Sequence, residues 1–153
     1  MNYEEKLNSA GFSLTGKGAP NVRPFESAVR TGQLVFVSGH AARVDGELIH
    51  KGIAGADVNV RQAQEAARAA FVNCLKAVKD LTGDLDEIIR IVNIKGYVAS
   101  TPEFKDQPLV MNSVSDLVNQ VFGEAGKHSR AAIGAASLPG GTSVEVELIV
   151  EVK

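Results

Sequence analysis

The 153-residue chain has no tryptophan, one cysteine, and an aromatic content of only 5 %. A single cysteine, Cys74, excludes an internal disulfide framework and a cysteine-built zinc site. Few aromatics leave the core to alanine, valine, leucine and isoleucine. No stretch reaches the roughly 18 unbroken apolar residues of a membrane span. The N-terminal MNYEEKLNSAGF carries early glutamates where a signal peptide would have an apolar core. Neither sign of charge dominates: 16 Lys and Arg against 18 Asp and Glu give a formal net charge of -2. That balance weighs against a nucleic-acid binder held by phosphate contacts. The histidines, His40, His50 and His128, stand at no ligand spacing to one another, so no metal site is expected. A soluble, cytoplasmic, single domain over residues 1–153 is the expectation.

What is present reads as alternating strands and helices. Residues 3–10 suit a short helix, followed by a loop through Gly11, Gly16, Gly18, Pro20 and Pro24. Phe25, Ser27 and Val29 alternate, Thr31-Gly32 interrupts, and Leu34 to Val37 runs apolar, which predicts two antiparallel strands around a tight turn. Asp45-Gly46 is a second hairpin signal. Over residues 60–82, Ala63, Ala67, Ala70, Cys74, Ala77 and Leu81 recur at helical spacing, with Asp57 or Asn59 to cap the start and Gly83 to end it. Ile88 to Ile94 is a β-branched run that reads as a strand buried on both faces. Ser100-Thr101-Pro102-Glu103 is a helix-start signal, and the main second helix should begin near Pro108 and run to about Phe122. Val144, Val146, Leu148, Val150 and Val152 alternate with mostly charged residues, the clearest strand of the chain. Arg130 to Leu138 reads as its hairpin partner across Pro139-Gly140-Gly141. The sum is an α+β sandwich, one sheet with two helices on one face.

Generic chemical signals are sparse. Cys74 lies on the apolar stripe of the first long helix and reads as a small buried hydrophobe. Ser38 and His40 would share one face of a strand about 7 Å apart, too loose for a dyad. Gly140-Gly141 lead into a strand rather than a helix, so they make a turn and not a phosphate loop. Arg130 is the most informative residue, a guanidinium among Ala131, Ala132, Ile133, Gly134 and Ala135. Either it reaches solvent, as arginines mostly do, or it faces a pocket that small side chains leave open and grips a carboxylate there.

The segment HSRAAIGAASLPGGTSVEVELIVEVK, from His128 onward, resembles the C-terminal signature of the Rid (YjgF-like) family of reactive-intermediate imine deaminases. That family also carries the names L-PSP endoribonuclease and chorismate-mutase-like. FESAVRTGQLVFVSGH, from Phe25 to His40, is similar to the family's strand-turn-strand ending in Ser-Gly-Gln. The resemblance extends to the Ala-rich helix, to Gly83-Asp84-Leu85 and to Asn112, so that it spans most of residues 22–153. Residues 1–20 then stand as an N-terminal extension of the kind found in a divergent subgroup. The resemblance implies a chorismate-mutase-like sandwich of the bacillus type with one mixed sheet, a homotrimer with clefts between subunits, and no metal or organic cofactor.

The resemblance also implies a reaction, hydrolysis of 2-imino acids to 2-keto acids and ammonia. Arg130 would hold the substrate carboxylate, and Glu145 would orient the attacking water. Ser38 and Gly39 would line the pocket, Phe25 would form an aromatic wall, Asn112 a polar contact, and Ala132 a backbone donor. Three positions depart from the pattern: Ala132 stands where a cysteine is frequent, Phe25 where a tyrosine is common, and His40 where glutamine is usual. The carboxylate grip is kept while the pocket around it is altered. A non-catalytic trimeric binder of small carboxylates and an endoribonuclease are the competing readings, and a chorismate mutase rests on fold analogy alone. With a hairpin turning about Gly140, Arg130 would pair near Val150 and Glu145 near Ala135. About 17 Å would then separate them along one chain, which points to a pocket built by neighbouring chains.

Overall fold

The structure, a computed structural model, describes residues 1–16 and 22–153. The expected loop at Gly18 and Pro20 lies outside the described residues. The first helix, α1 (Tyr3–Ser9), is started by Asn2, whose side chain accepts from the Glu5 amide while Glu5 accepts from the Asn2 amide. This reciprocal cap satisfies two otherwise orphaned donors. α1 is docked rather than dangling. Leu7 is fully buried, the Tyr3 and Phe122 rings lie 4.6 Å apart, and Lys79 meets Glu4 at 2.8 Å.

Strands β1 (Ala28–Thr31) and β2 (Leu34–Ala41) form the expected hairpin, with Gly32 in the left-handed region at φ 59°. The two-stranded β3 (Arg43–Val44) and β4 (Glu47–Leu48) turn through Asp45 and Gly46, both at positive φ as a primed turn requires. Helix α2 (Val60–Thr82) starts at an Asn59 capping box and stops at the left-handed Gly83. Its small residues, Ala63, Ala66, Ala67 and Ala70 among them, are buried. They let the helix lie close to the sheet.

After α2 come β5 (Ile88–Ala99), α3 (Gln107–Phe122), β6 (Ser129–Ala135) and β7 (Val144–Val152). The helix-start signal at Thr101-Pro102 yields only a turn closed by Phe104 N–H to the Thr101 carbonyl. α3 begins at Gln107, with Pro108 in its first turn, where a missing N–H costs nothing.

The main sheet has the order β1-β2-β7-β5-β6 and is mixed, since β5 and β6 run parallel and the other pairs antiparallel. This corrects the expected hairpin: β6 does not pair with β7. Arg130 pairs with Ile94, not Val150, and Glu145 pairs with Ala41 and Tyr97, not Ala135. The Pro139-Gly140-Gly141 segment is a short helical turn that carries the chain over β5 instead of folding it back.

The isoleucine run also differs from expectation. Ile88, Ile91 and Ile94 are buried while Ile89 is 41 % exposed, so β5 is buried mainly on one face. Register shifts at Ile88/Arg90 and Ile91/Asn93 explain the spacing of three. Each bulge inserts one residue and returns the next isoleucine to the same side.

Truncating Leu7 tests whether α1 belongs to the cooperative core. Leu7→Ala is expected to lower unfolding stability by about 2–5 kcal/mol, as for other fully buried leucines, measured by urea denaturation. A change near zero would make α1 a frayed appendage.

Candidate functional site

Arg130 lies on β6, at one edge of the sheet, and is half-buried. Its pairing with Ile94, a core residue, places its side chain on the helix-covered face. There Nη1 donates to Asn112 Oδ1 at 2.8 Å and to Ser115 Oγ at 3.2 Å, both on α3. Ser115 in turn lies 2.9 Å from His128 Nε2, and His128 Nδ1 lies 2.6 Å from the Gly126 carbonyl. A carbonyl only accepts, so Nδ1 donates to it, and in the neutral ring Nε2 accepts from the Ser115 hydroxyl. The chain of donors runs Arg130 to Ser115 to His128, with Asn112 as a second brace.

These contacts occupy one guanidinium nitrogen. Among the described residues, Arg130 makes no ion pair. A braced, uncompensated, half-buried guanidinium suits a bidentate carboxylate. Ala132 follows on the same face beside Gly96, where Met111 fills the space a side chain would take: a Cβ at Gly96 would come within 2.2 Å of its sulfur. Ser115 and His128 were not singled out from the sequence. Their signals were the three-residue step from Asn112 along a helix and the two-residue step back from Arg130 to the residue just before β6.

Glu145 lies elsewhere. It alternates with the buried Val144 and Val146, so it points from the other face of the sheet. Its carboxyl carbon would lie 3.0 Å from a Cβ at Gly39, so only glycine leaves room for it. β1 ends its pairing at Ala28, which leaves residues 38–41 of β2 at the sheet edge. A cavity of about 320 Å³ opens there, lined by Arg23, Gly39, His40, Asn73, Lys76 and Glu145 among others.

One extra residue bulges from β2 opposite β7 between Val37 and His40. The bulge breaks the alternation that would have put Ser38 and His40 on one face. His40 turns inward and is 8 % exposed. Ser38 instead donates its hydroxyl to the Glu26 carbonyl and its amide to that of Ser27, which ties down the segment before β1. Phe25 is not part of the cavity lining; it stands 53 % exposed with the Arg23 guanidinium 5.0 Å above its ring.

Burial, and then the neighbouring Glu147 charge, hold the Glu145 carboxyl above the usual carboxylate range. Tyr97 donates to Glu147 at 2.7 Å, and this bond pushes its phenol up to about 12. Desolvation lowers His40, with Arg23 adding to the effect and the Ser38 carbonyl opposing it. Burial raises the Cys74 thiol, which donates to the Val146 carbonyl. That places Cys74 as an inert packing group.

Arg130 and Glu145 therefore lie in two separate places on the chain. Asn112 and Ala132 accompany Arg130, while Gly39 accompanies Glu145. Two strand spacings across and three residues along separate their backbones by roughly 14 Å, and the two side chains leave opposite faces. One copy of this chain does not bring them to one small ligand.

A sequence model described as "YjgF/chorismate_mutase-like, putative endoribonuclease" matches residues 4–152. Protein TCP17 of Trypanosoma cruzi is 38 % identical over 146 residues, 95 % of this chain and 91 % of that protein. The crystal structure of Atu1372 from Agrobacterium tumefaciens, a protein of unknown function, is 41 % identical with a TM-score of 0.91, covering 99 % of this chain and 93 % of that one. Escherichia coli TdcF, solved with bound serine, shares the fold at 19 % identity and a TM-score of 0.63, covering 93 % and 97 %.

The raised Glu145 carboxyl has a stability consequence. A group that holds its proton more tightly folded than unfolded costs stability as pH rises from its ordinary value through the raised one. Glu145→Gln removes that cost. Its urea midpoint is expected to exceed the wild type's at pH 7 and to converge with it at pH 4 and below. Equal midpoints at both pH values would contradict the desolvation described here.

Proposed function

The chain belongs to the YjgF/chorismate-mutase-like family, and from that premise we propose that it hydrolyses small 2-imino acids to 2-keto acids and ammonia, in clefts between the subunits of a homotrimer. The observation that carries this reading is Arg130, held by Asn112 and Ser115 with no acidic partner among the described residues. A planar donor fork of this kind fits the carboxylate of an imino acid. The serine bound by TdcF is a molecule of similar size with the same carboxylate.

An imine carbon is already electrophilic, so the protein's share of the work is to hold the substrate, place a water and move protons. Arg130 holds the carboxylate. Glu145, from a neighbouring subunit, accepts a hydrogen bond from the attacking water and positions it. Gly39 leaves the space that the carboxyl needs. Phe25 contributes apolar surface from outside the cavity. Ser38 acts through the backbone of the segment it ties, since its hydroxyl is spent on Glu26.

The division of the site supports an assembly in which a second copy completes each cleft, and the family resemblance makes that assembly a trimer. The sheet face opposite the helices exposes Val29, Phe36, Ile133 and part of Leu34, an apolar surface that subunits can cover. The cavity lining mixes Arg23, Arg43 and Lys76 with Asp80 and Glu145. That mixture gives no reason to prefer an RNA substrate.

The test is ammonia release from 2-iminopropionate generated in the assay, with and without the protein. Arg130→Ala is expected to lower kcat/KM about 100-fold or more, the loss of a charge-assisted pair. No acceleration by the wild type, or an unimpaired Arg130→Ala, would sink the reading. Thermal stabilisation by pyruvate without turnover would point instead to a carboxylate-binding module. Light scattering should give three copies per particle, and a stable monomer would remove the shared site.

A further inference from the structure

We propose that His40 is the proton acceptor of this site, acting through an Nε2 atom that opens into the cavity lined by Glu145. The assignment rests on the hydrolytic reading above and deepens it. Three structural facts carry it. First, the bulge at Ser38–Gly39 turns His40 inward, whereas unbroken strand alternation would turn it out. Second, His40 Nδ1 lies 2.6 Å from the Ser38 carbonyl. A carbonyl only accepts, so the neutral ring keeps its proton on Nδ1 and presents Nε2 as a lone pair. Third, His40 is one of the residues lining the cavity, and among the described residues its Nε2 has no hydrogen-bond partner and is not fully buried.

The surroundings favour that neutral form. Arg23 approaches from the segment before β1, Arg43 from β3, Lys76 and Asp80 from α2, and Glu145 from β7. Beneath the ring, Cys74 Sγ lies 3.8 Å from Nδ1, and its own thiol is kept protonated by burial. Burial and Arg23 lower the imidazole, so it remains a base at pH values where an ordinary histidine is half charged.

The step balances without a further reactant. Water oxygen bonds to the imine carbon as the C=N pair withdraws onto nitrogen, and the water proton passes to His40 Nε2. The resulting imidazolium returns that proton to the nitrogen. His40 Nε2 then takes the hydroxyl proton and passes it to the amine nitrogen as the C–N bond breaks, so that the carbonyl forms and ammonia leaves. Imine and water have become ketone and ammonia, and His40 is neutral again. Glu145 positions the water throughout.

Two variants separate this role from a structural one. In His40→Asn the amide can reproduce the Nδ1 bond to Ser38 but offers nothing at Nε2; in His40→Gln the amide reaches the Nε2 position without a comparable base. For the wild type, kcat/KM toward 2-iminopropionate, referred to the uncatalysed rate at each pH, is expected to rise through a midpoint below 6.5 and level off. His40→Asn should lose about 100-fold and that rising limb, at an unchanged melting temperature. His40→Asn with wild-type rate and limb would overturn the proposal, because the Nδ1 tie alone would then suffice. Where His40→Asn fails to fold, the His40 titration followed by NMR in the wild type decides. Its midpoint must coincide with the kinetic limb, and a mismatch overturns the assignment. A wild type that accelerates nothing removes the imine reading itself, a different outcome from an active enzyme indifferent to Nε2.

Discussion

The C-terminal strand is hydrogen-bonded along both edges, to β2 on one side and β5 on the other, and its two pairings fix every other element of the sheet. Its valines at 144, 146, 150 and 152 and Leu148 are buried beneath the helices. A slip of one residue against either neighbour would turn that row outward and bring Glu145, Glu147 and Glu151 into the core, so the register is strongly determined. The same alternation sends Glu145 to the face away from the helices. Meanwhile β6, parallel to β5, sends Arg130 to the face they cover. The separation of Arg130 from Glu145 is thus a consequence of how the core is built.

Within this frame, departures from the two-residue period do the placing. On β5 two bulges keep Ile88, Ile91 and Ile94 in the core at a spacing of three. On β2 one bulge carries Ser38 to the tether at Glu26 and His40 to the interior. The half-buried Glu145 carboxyl packs against Gly39 at that bulge, in space that a side chain there would take. A local break in the ladder is a small cost for positioning two titratable groups around one cavity.

Much of the fold could be read from local pattern. The Asn59 and Gly83 boundaries of α2, both hairpin turns and the alternation of β7 are written in adjacent residues. Pairing was not legible in the same way. The run Leu138-Pro139-Gly140-Gly141 has the residues of a tight turn, yet the next strand joins two others and leaves β6 to run parallel to β5. Alternation reports which face a strand buries but not which strand lies beside it. Thr101-Pro102 misled for a related reason: with Phe104 as the one side chain before Gln107 that packs against the core, there is no helical apolar stripe to bury and the segment stays a turn. At the candidate site, Arg130 was visible because small residues surround it. Ser115 and His128 were not, because their bond to it joins α3 and β6. The inward turn of His40 was hidden by the bulge, which has no marker beyond the Ser-Gly pair.

The opposite facing of Arg130 and Glu145 has a genetic consequence. In the proposed assembly a cleft takes its carboxylate grip from one copy and its acid from the next, so a mutation in either half spoils only that copy's contribution. Two alleles, one lacking each residue, would be inert separately. Co-expressed, they would assemble a minority of clefts in which the intact halves of two defective chains meet, restoring partial function by complementation between alleles of a single gene.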